Sequence, residues 1–253
     1  MEYILSLSYG KDSLACLGAI EKLNLPLDRI IHAEIWATKT IPADLPPMIE
    51  FKKKADKIIK DRYGITVEHV SAGITYEDVF YHVAKPNGKS INCGHINGFP
   101  MIKGAWCNSK LKVKALNKID KNAMSYIGIA IDEPKRFKVL AEHKISPLVM
   151  AEWTEKMCYD WCDKNDLLSP IYNSASRGGC WFCHNQSVNQ LRLLRKNYPQ
   201  YWNLLLKWDK VSPITFKPNH TLHDFEKRFL LEYKGYIQPN DSHFRWKILN
   251  EKL

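Results

Sequence analysis

Strand-like and helix-like patterns alternate over about the first 140 residues, and that alternation leaves few architectures open. Apolar runs at Tyr3–Leu7, Arg29–Trp36, Ile65–Val70 and Met124–Ile131 are separated by helical patterns over Leu14–Leu23, Pro47–Tyr63 and Lys110–Ile119. Strands joined by helix-length crossovers pair in parallel and need cover on both faces. The expected fold class is therefore α/β, a doubly wound, mostly parallel sheet. Ligands of such sheets bind at the carboxyl ends of the strands. The turn after the first run, the stretch Glu34–Thr40 and the stretch Asp132–Arg136 all fall there.

Beyond about residue 150 the pattern turns helical and aromatic, with Trp153, Trp161, Trp181, Trp202, Trp208 and Trp246. Helices are expected over Thr154–Lys164, Val188–Asn197, Tyr201–Trp208 and His223–Tyr233. The expected organisation is a nucleotide-binding α/β domain over 1–150 and a helical, cysteine-containing extension over 151–253. Two long irregular stretches, Thr38–Pro47 and Ala84–Gly104, exceed the usual connection length and are candidates for the substrate site.

The first turn reads Ser8-Tyr9-Gly10-Lys11-Asp12-Ser13. A short turn between a buried strand and a helix offers backbone N–H groups, hydroxyls and the positive end of a helix dipole to an anion, with a nucleotide as the natural guest. It is not a Walker A loop, because Leu5 stands where that pattern needs its first glycine and Asp12 follows the lysine. The plainer alternative is a strand-to-helix turn with Asp12 and Ser13 as capping residues.

The formal net charge of +10 suits a polyanionic partner, a nucleotide or a nucleic acid. One lysine cluster, Lys52, Lys53, Lys54, Lys57 and Lys60, lies opposite Phe51, Ala55, Ile58 and Ile59 and reads as a solvated helix face. A second comprises Lys110, Lys112, Lys114, Lys118 and Lys121. No apolar run approaches the roughly 18 residues a membrane span needs, and the start of the chain has no basic n-region. A cytoplasmic protein without a membrane partner is expected.

Seven cysteines in such a chain point to metal or redox chemistry more than to disulfides. Cys180-Trp181-Phe182-Cys183 is a C-x2-C knuckle preceded by two glycines. Cys158 and Cys162 share one face of a predicted helix, and Cys107 stands near the start of another. Cys16 reads as core, and Cys93 completes the set. Four thiolates suit Zn2+ or a 4Fe-4S cluster equally. His184, directly after Cys183, is awkwardly placed for the same ion.

Four segments in order carry a resemblance. They are the Ser8–Ser13 turn, Trp106-Cys107-Asn108-Ser109-Lys110-Leu111-Lys112, the run Tyr126 to Arg136 with its Asp-Glu-x-x-Arg ending, and Arg177-Gly178-Gly179-Cys180-Trp181-Phe182-Cys183. Together they resemble the phosphoadenosine phosphosulfate (PAPS) reductase-like family of the ATP pyrophosphatase (PP-loop, adenine nucleotide alpha hydrolase-like) superfamily. The resemblance implies that Ser8, Gly10, Lys11, Asp12, Ser13, Lys112 and Arg136 bind ATP, or PAPS or its unphosphorylated analogue APS. Lys11 spreads phosphate charge and Asp12 holds Mg2+ or caps the turn. It also implies an adenylated acceptor, release of pyrophosphate and transfer of sulfur, with a 4Fe-4S cluster on Cys107, Cys162, Cys180 and Cys183, Cys158 being the reserve ligand and Zn2+ the alternative metal. Expected partners are the nucleotide, tRNA or DNA as acceptor, and a sulfur-donor protein.

The chain departs from that pattern in three ways. Tyr9 replaces the usual first glycine of the loop, Cys107 lacks an adjacent cysteine, and no cysteine follows Cys183, which counts against thiol attack on PAPS. The alternatives are a sulfonucleotide reductase and a basic, zinc-stabilised nucleic-acid-binding protein.

Overall fold

The computed structural model describes residues 1–86, 93–101, 104–116, 122–173, 179–239 and 244–247. In chain order the elements are β1 Tyr3–Ser6, α1 Lys11–Lys22, β2 Arg29–Ala33, α2 Pro46–Tyr63, β3 Val67–Val70, α3 Tyr76–Phe80, a π-helical segment Asn108–Val113, α4 Lys114–Leu116, β4 Met124–Tyr126, α5 Pro134–Phe137 and β5 Lys144–Ile145. They continue with α6 Pro147–Met150, α7 Glu155–Lys164, a 3-10 turn Pro170–Asn173, α8 Val188–Asn197, α9 Pro199–Val211 and α10 Leu222–Tyr233. The chain divides into two compact units, Met1–Tyr76 with Asn108–Cys180, and Glu77–Cys107 with Trp181–Leu253. Helix α7, which the 1–150 and 151–253 partition assigns to the extension, belongs to the first unit.

The first unit carries a five-stranded sheet in the order β3-β2-β1-β4-β5, parallel at every pairing. Side chains alternate between its faces, as the pleat requires. Leu5 and Ile30 pack with Leu14, Leu17, Ala55 and Ile59 of α1 and α2, whereas Ile4 and Ile31 pack with Leu116 of α4 on the other face. Cover on both faces is the doubly wound arrangement expected from the apolar runs. Chain crossovers run to opposite sides of β1, so the switch point lies between β1 and β4.

The strands are shorter than the runs that announced them. β2 stops at Ala33 because the chain then turns into a small loop closed by a bridge between Trp36 and Pro42. β4 ends at Tyr126, and after Ile127 N–H bonds the Ile145 carbonyl the chain turns, Ile129 N–H bonding the carbonyl of Ile127. The two-residue β5 has no apolar run to betray it. The helix expected over Lys110–Ile119 is π-helical from Asn108 to Val113 and α-helical over Lys114–Leu116, and its last residues lie outside the described ones. Rare π-turns frequently mark functional sites.

Helix α7 packs on α1 at Gly18. A Cβ there would come within 2.3 Å of the Trp161 ring, so the glycine is what admits the indole. Cys158 and Cys162, on the same helix, are fully buried in this core. Thr154 caps α7 by accepting from Met157 N–H at 3.3 Å, the start expected from the sequence.

In the second unit, aromatic residues supply the core. Trp208 stacks on Trp181 with centroids 5.8 Å apart and on Phe80 at 5.7 Å. Two bidentate ion pairs, Arg192–Glu232 and Arg195–Glu226, tie α8 to α10, and Trp202 Nε1–H adds a bond to Glu226 at 2.6 Å. The described part of the stretch 84–104 folds back on itself, with Gly94 N–H to Ala84 O at 3.0 Å and Gly98 N–H to Phe80 O at 3.1 Å.

Gly18→Ala is expected to destabilise the first unit by about 1–3 kcal/mol through overpacking. Denaturant unfolding would show it, and adding Trp161→Leu should recover part of the loss if the clash is the cause.

Candidate functional site

Residues after β1 and β4 meet backbone to backbone. A Cβ on Gly128 would lie 2.6 Å from the carbonyl carbon of Asp12 and from Ser13 N. Only a glycine lets the chain leaving β4 run against the first turn of α1. Ser146, buried in front of α6, fixes that chain by donating to the Ile129 carbonyl at 2.6 Å.

The loop between β1 and α1 is braced from inside. Ser13 Oγ donates to the Gly10 carbonyl at 3.0 Å, and accepts from Ser8 N–H at 3.1 Å and from the Ser8 hydroxyl at 2.9 Å. Ser13 is buried, so its hydroxyl holds the loop's shape, while Ser8, Gly10, Lys11 and Asp12 line the adjoining cavity. Lys11 N–H donates to the Tyr172 hydroxyl at 2.9 Å. The next amides, of Asp12 and Ser13, belong to the first helical turn and have no acceptor within the helix.

Tyr9 sets the turn of this loop. It adopts φ +56°, a left-handed conformation that costs a non-glycine residue about 1–2 kcal/mol. Its ring is fully buried and edge-on to His32, with centroids 4.8 Å apart. Its hydroxyl donates to Asp56 and lies 3.2 Å from His69 Nε2. Burial first, then the bond to Asp56, push the phenol far above its usual range, so it is a neutral donor. Burying the ring offsets the backbone cost.

Lys52 differs from expectation. The solvated-face reading holds for Lys53, Lys54, Lys57 and Lys60, which are exposed, but Lys52 is 9% exposed and lines the cavity. Its spacing from Met48, Ala55 and Ile59 (i−4, i+3, i+7) puts it on the inward face, a signal legible in the sequence. Its ammonium bonds Asp44 Oδ2 at 2.5 Å and His32 Nε2 at 2.8 Å. His32 Nδ1 lies 2.9 Å from the Leu7 carbonyl, which fixes Nδ1 as the protonated nitrogen and Nε2 as the acceptor from Lys52. Burial first, and Lys52 next, lower the His32 pKa to about 3.

The cavity, of about 700 Å³, opens at the carboxyl ends of β1, β2 and β4. It brings together Ser8, Gly10, Lys11, Asp12, Lys112 and Arg136 from the expected nucleotide set, and Cys180 from the expected metal set. Glu34 lies outside its lining and accepts from Trp36 Nε1 at 3.3 Å. Asp44, Glu155 and Tyr172 line it without any motif to announce them.

Around the loop, charges occur in pairs. Lys11 Nζ lies 2.7 Å from Asp12 and 3.3 Å from Glu155, and Arg136 bonds both oxygens of Glu133 at 2.8 and 2.7 Å. Burial would lower the Lys11 pKa, but Asp12 and Glu155 outweigh it and hold it above its ordinary value. Burial raises the Asp12 pKa despite Lys11. Asp12, Glu133 and Glu155 each offer an oxygen within 4.8 Å of the others, the only set of three metal-ligand side chains so gathered among the described residues. Such a hard-oxygen set fits a divalent cation such as Mg2+.

The cysteines divide between the units, Cys162 and Cys180 in the first, Cys107 and Cys183 in the second. Cys162 donates its thiol to the Lys11 carbonyl at 3.2 Å, and burial pushes its pKa far up. Burial also raises Cys158 to about 12. Arg177 and Gly178 lie outside the described residues. No protein-family model matches the chain, and no curated protein matches it.

Gly128→Ala should displace the loop, which has backbone and not a flexible side chain to move, and cost about 1–3 kcal/mol or more, seen as a lowered melting temperature. The neutral His32 gives a pH signature. The unfolded chain binds its proton near pH 6.5 and the folded chain only near 3, so stability is full above about 6.5 and declines as pH falls. His69, raised chiefly by its bond to Asp56, acts in the opposite sense and loses its contribution as pH rises above 6.5. Between pH 6.5 and 5, His32→Asn, which cannot titrate, should flatten the fall of the urea midpoint seen for the wild type.

Proposed function

We propose that the first unit binds ATP and acts as an ATP pyrophosphatase-type enzyme that adenylates an acceptor for sulfur transfer. One observation carries this reading. The helix N-terminus after β1, Lys11, Lys112, Arg136 and three convergent carboxylates all face one cavity at the strand ends, beside the switch point. Amides and cations suit the phosphates, and the carboxylates suit the cation that accompanies them.

In this reaction an acceptor oxygen attacks the α-phosphorus of ATP, and the bond to the bridging oxygen breaks. Pyrophosphate leaves with the electron pair, and a sulfur or nitrogen nucleophile then displaces AMP from the acceptor carbon. The amides of the first helical turn orient the phosphates, while Lys11 and Arg136 take up charge developing on the leaving group. Asp12, Glu133 and Glu155 are the residues that would hold Mg2+, which supplies charge neutralisation when bound. Gly128 keeps the two strand ends close enough for loop and carboxylates to act on one phosphate chain.

A 4Fe-4S cluster on Cys107, Cys162, Cys180 and Cys183 remains an implication of the resemblance alone. No step is routed through a cluster. For the nucleic-acid-binding alternative, Trp153, Trp181, Trp202 and Trp208 are buried and cannot stack on bases, whereas Trp161 and Trp246 are partly exposed.

Calorimetry with ATP and Mg2+ tests the proposal. Binding is expected for the wild type, weakened about tenfold or more by Lys11→Ala or Asp12→Asn, and labelled ATP should yield AMP and pyrophosphate when pooled tRNA or DNA is added as acceptor. Absence of ATP binding by the folded wild type would overturn it.

A further inference from the structure

We propose that Asp44, held in place by Lys52, reads the ribose in this cavity and selects adenine nucleotides with free ribose hydroxyls against those carrying a 3′-phosphate. The inference rests on the nucleotide reading of the cavity. It goes beyond that reading by choosing between ATP-type and 3′-phosphorylated ligands.

The loop after β2 is built to return Asp44 to the strand end. Ala37 N–H bonds Ile41 O at 2.8 Å, Thr38 Oγ1 accepts from Ile41 N–H at 3.1 Å, and Ala43 N–H bonds Ile35 O at 2.9 Å. Asp44 therefore lines the cavity beside Ala33, Ile35 and Met48, an apolar wall suited to a flat base and a sugar. Asp44 and Lys52 are the polar groups set against that wall.

Their hydrogen-bonding capacity is specific. Lys52 spends one N–H on Asp44 Oδ2 and one on His32 Nε2, leaving a third, and its ammonium lies 5.1 Å from the centroid of the Tyr9 ring. Asp44 keeps Oδ1 as an acceptor. A vicinal diol needs an acceptor for one O–H and a donor to the other oxygen, and this pair supplies both. A phosphate monoester presents acceptors only and carries nearly two negative charges, so it gains nothing from the carboxylate and is repelled by it. Dinucleotide-binding folds divide the same way, with an acidic residue for a free ribose hydroxyl and an arginine for a phosphate. Lys112 also faces the cavity, and were it the dominant contact the 3′-phosphate would bind better, not worse.

The test is calorimetry on the wild-type full chain with AMP, 2′,3′-dideoxy-AMP and adenosine 3′,5′-bisphosphate. AMP is expected to bind about tenfold or more tightly than either, the size of one lost buried hydrogen bond. Asp44→Asn, checked for folding by its melting curve, should reduce the preference over the bisphosphate to less than about threefold, since the repulsive charge is gone. Equal or tighter binding of the bisphosphate, or equal binding of the dideoxy compound, overturns the inference and leaves the nucleotide reading standing. Failure of all three to bind overturns the inference, and the nucleotide reading falls with it only if ATP with Mg2+ also fails to bind. The wild-type comparison decides the matter even if the variant does not fold.

Discussion

A backbone held in the left-handed region at Tyr9 and pressed against Gly128 is the constraint on which the site depends. The loop must leave β1, reverse and enter α1 within a few residues, and the left-handed turn at Tyr9 accomplishes that reversal. Glycine would adopt it freely. Tyrosine adopts it because its ring is locked beneath the loop by His32, Asp56 and His69. A tyrosine here makes the hinge rigid where a glycine would leave it flexible, and its cost is offset within the core. Gly128 completes the constraint from the other side, where any Cβ would meet main-chain atoms of Asp12 and Ser13.

Beneath the loop lies a polar layer that a core of this size carries only if every member is satisfied. Leu7 O, His32, Lys52 and Asp44 form one chain, and Tyr9, Asp56 and His69 another. The neutral His32 joins backbone to ammonium and lets a lysine be buried with two partners. Loss of Lys52 would leave Asp44 and His32 without a common partner, so the layer is expected to act as a unit and not as separable bonds. This rigidity is what a site needs if it is to hold phosphates at one end and read a sugar at the other.

Much of this architecture could be read from residues. The continuous apolar runs in Tyr3–Leu7 and Arg29–Ala33 and the helical spacing in α1 and α2 specify the sheet and its cover, because strands covered on both faces carry few polar residues. The loop Ser8–Ser13 was legible because hydroxyls, glycine and lysine cluster between a strand and a helix. Lys112 and Arg136 were legible only through resemblance, yet they line the same cavity. Lys52 was misread because a run of lysines suggests solvent, although one member falls on the inward face. Asp44 fell within the stretch Thr38–Pro47 that its length marked for the substrate site, but neither it nor Glu155 stood out as a residue, since a carboxylate brought to a site by a loop or a helix start looks like any other. β5 escaped because two residues carry no period.

The pairing of charges in the cavity has a consequence for binding order. Lys11 is tied to Asp12 and Glu155, and Arg136 to Glu133, so neither cation is free to attract a phosphate without leaving a carboxylate uncompensated. An anion that takes Lys11 and Arg136 strands three carboxylates whose oxygens already converge. A divalent cation occupying those carboxylates would leave the two basic residues seeking a new partner. Each ligand thus removes the cost the other would meet alone. By linkage the mutual enhancement is equal in both directions. In the proposed function, ATP and its metal are therefore expected to enter as one chelate, with the resident ion pairs exchanging partners when they arrive.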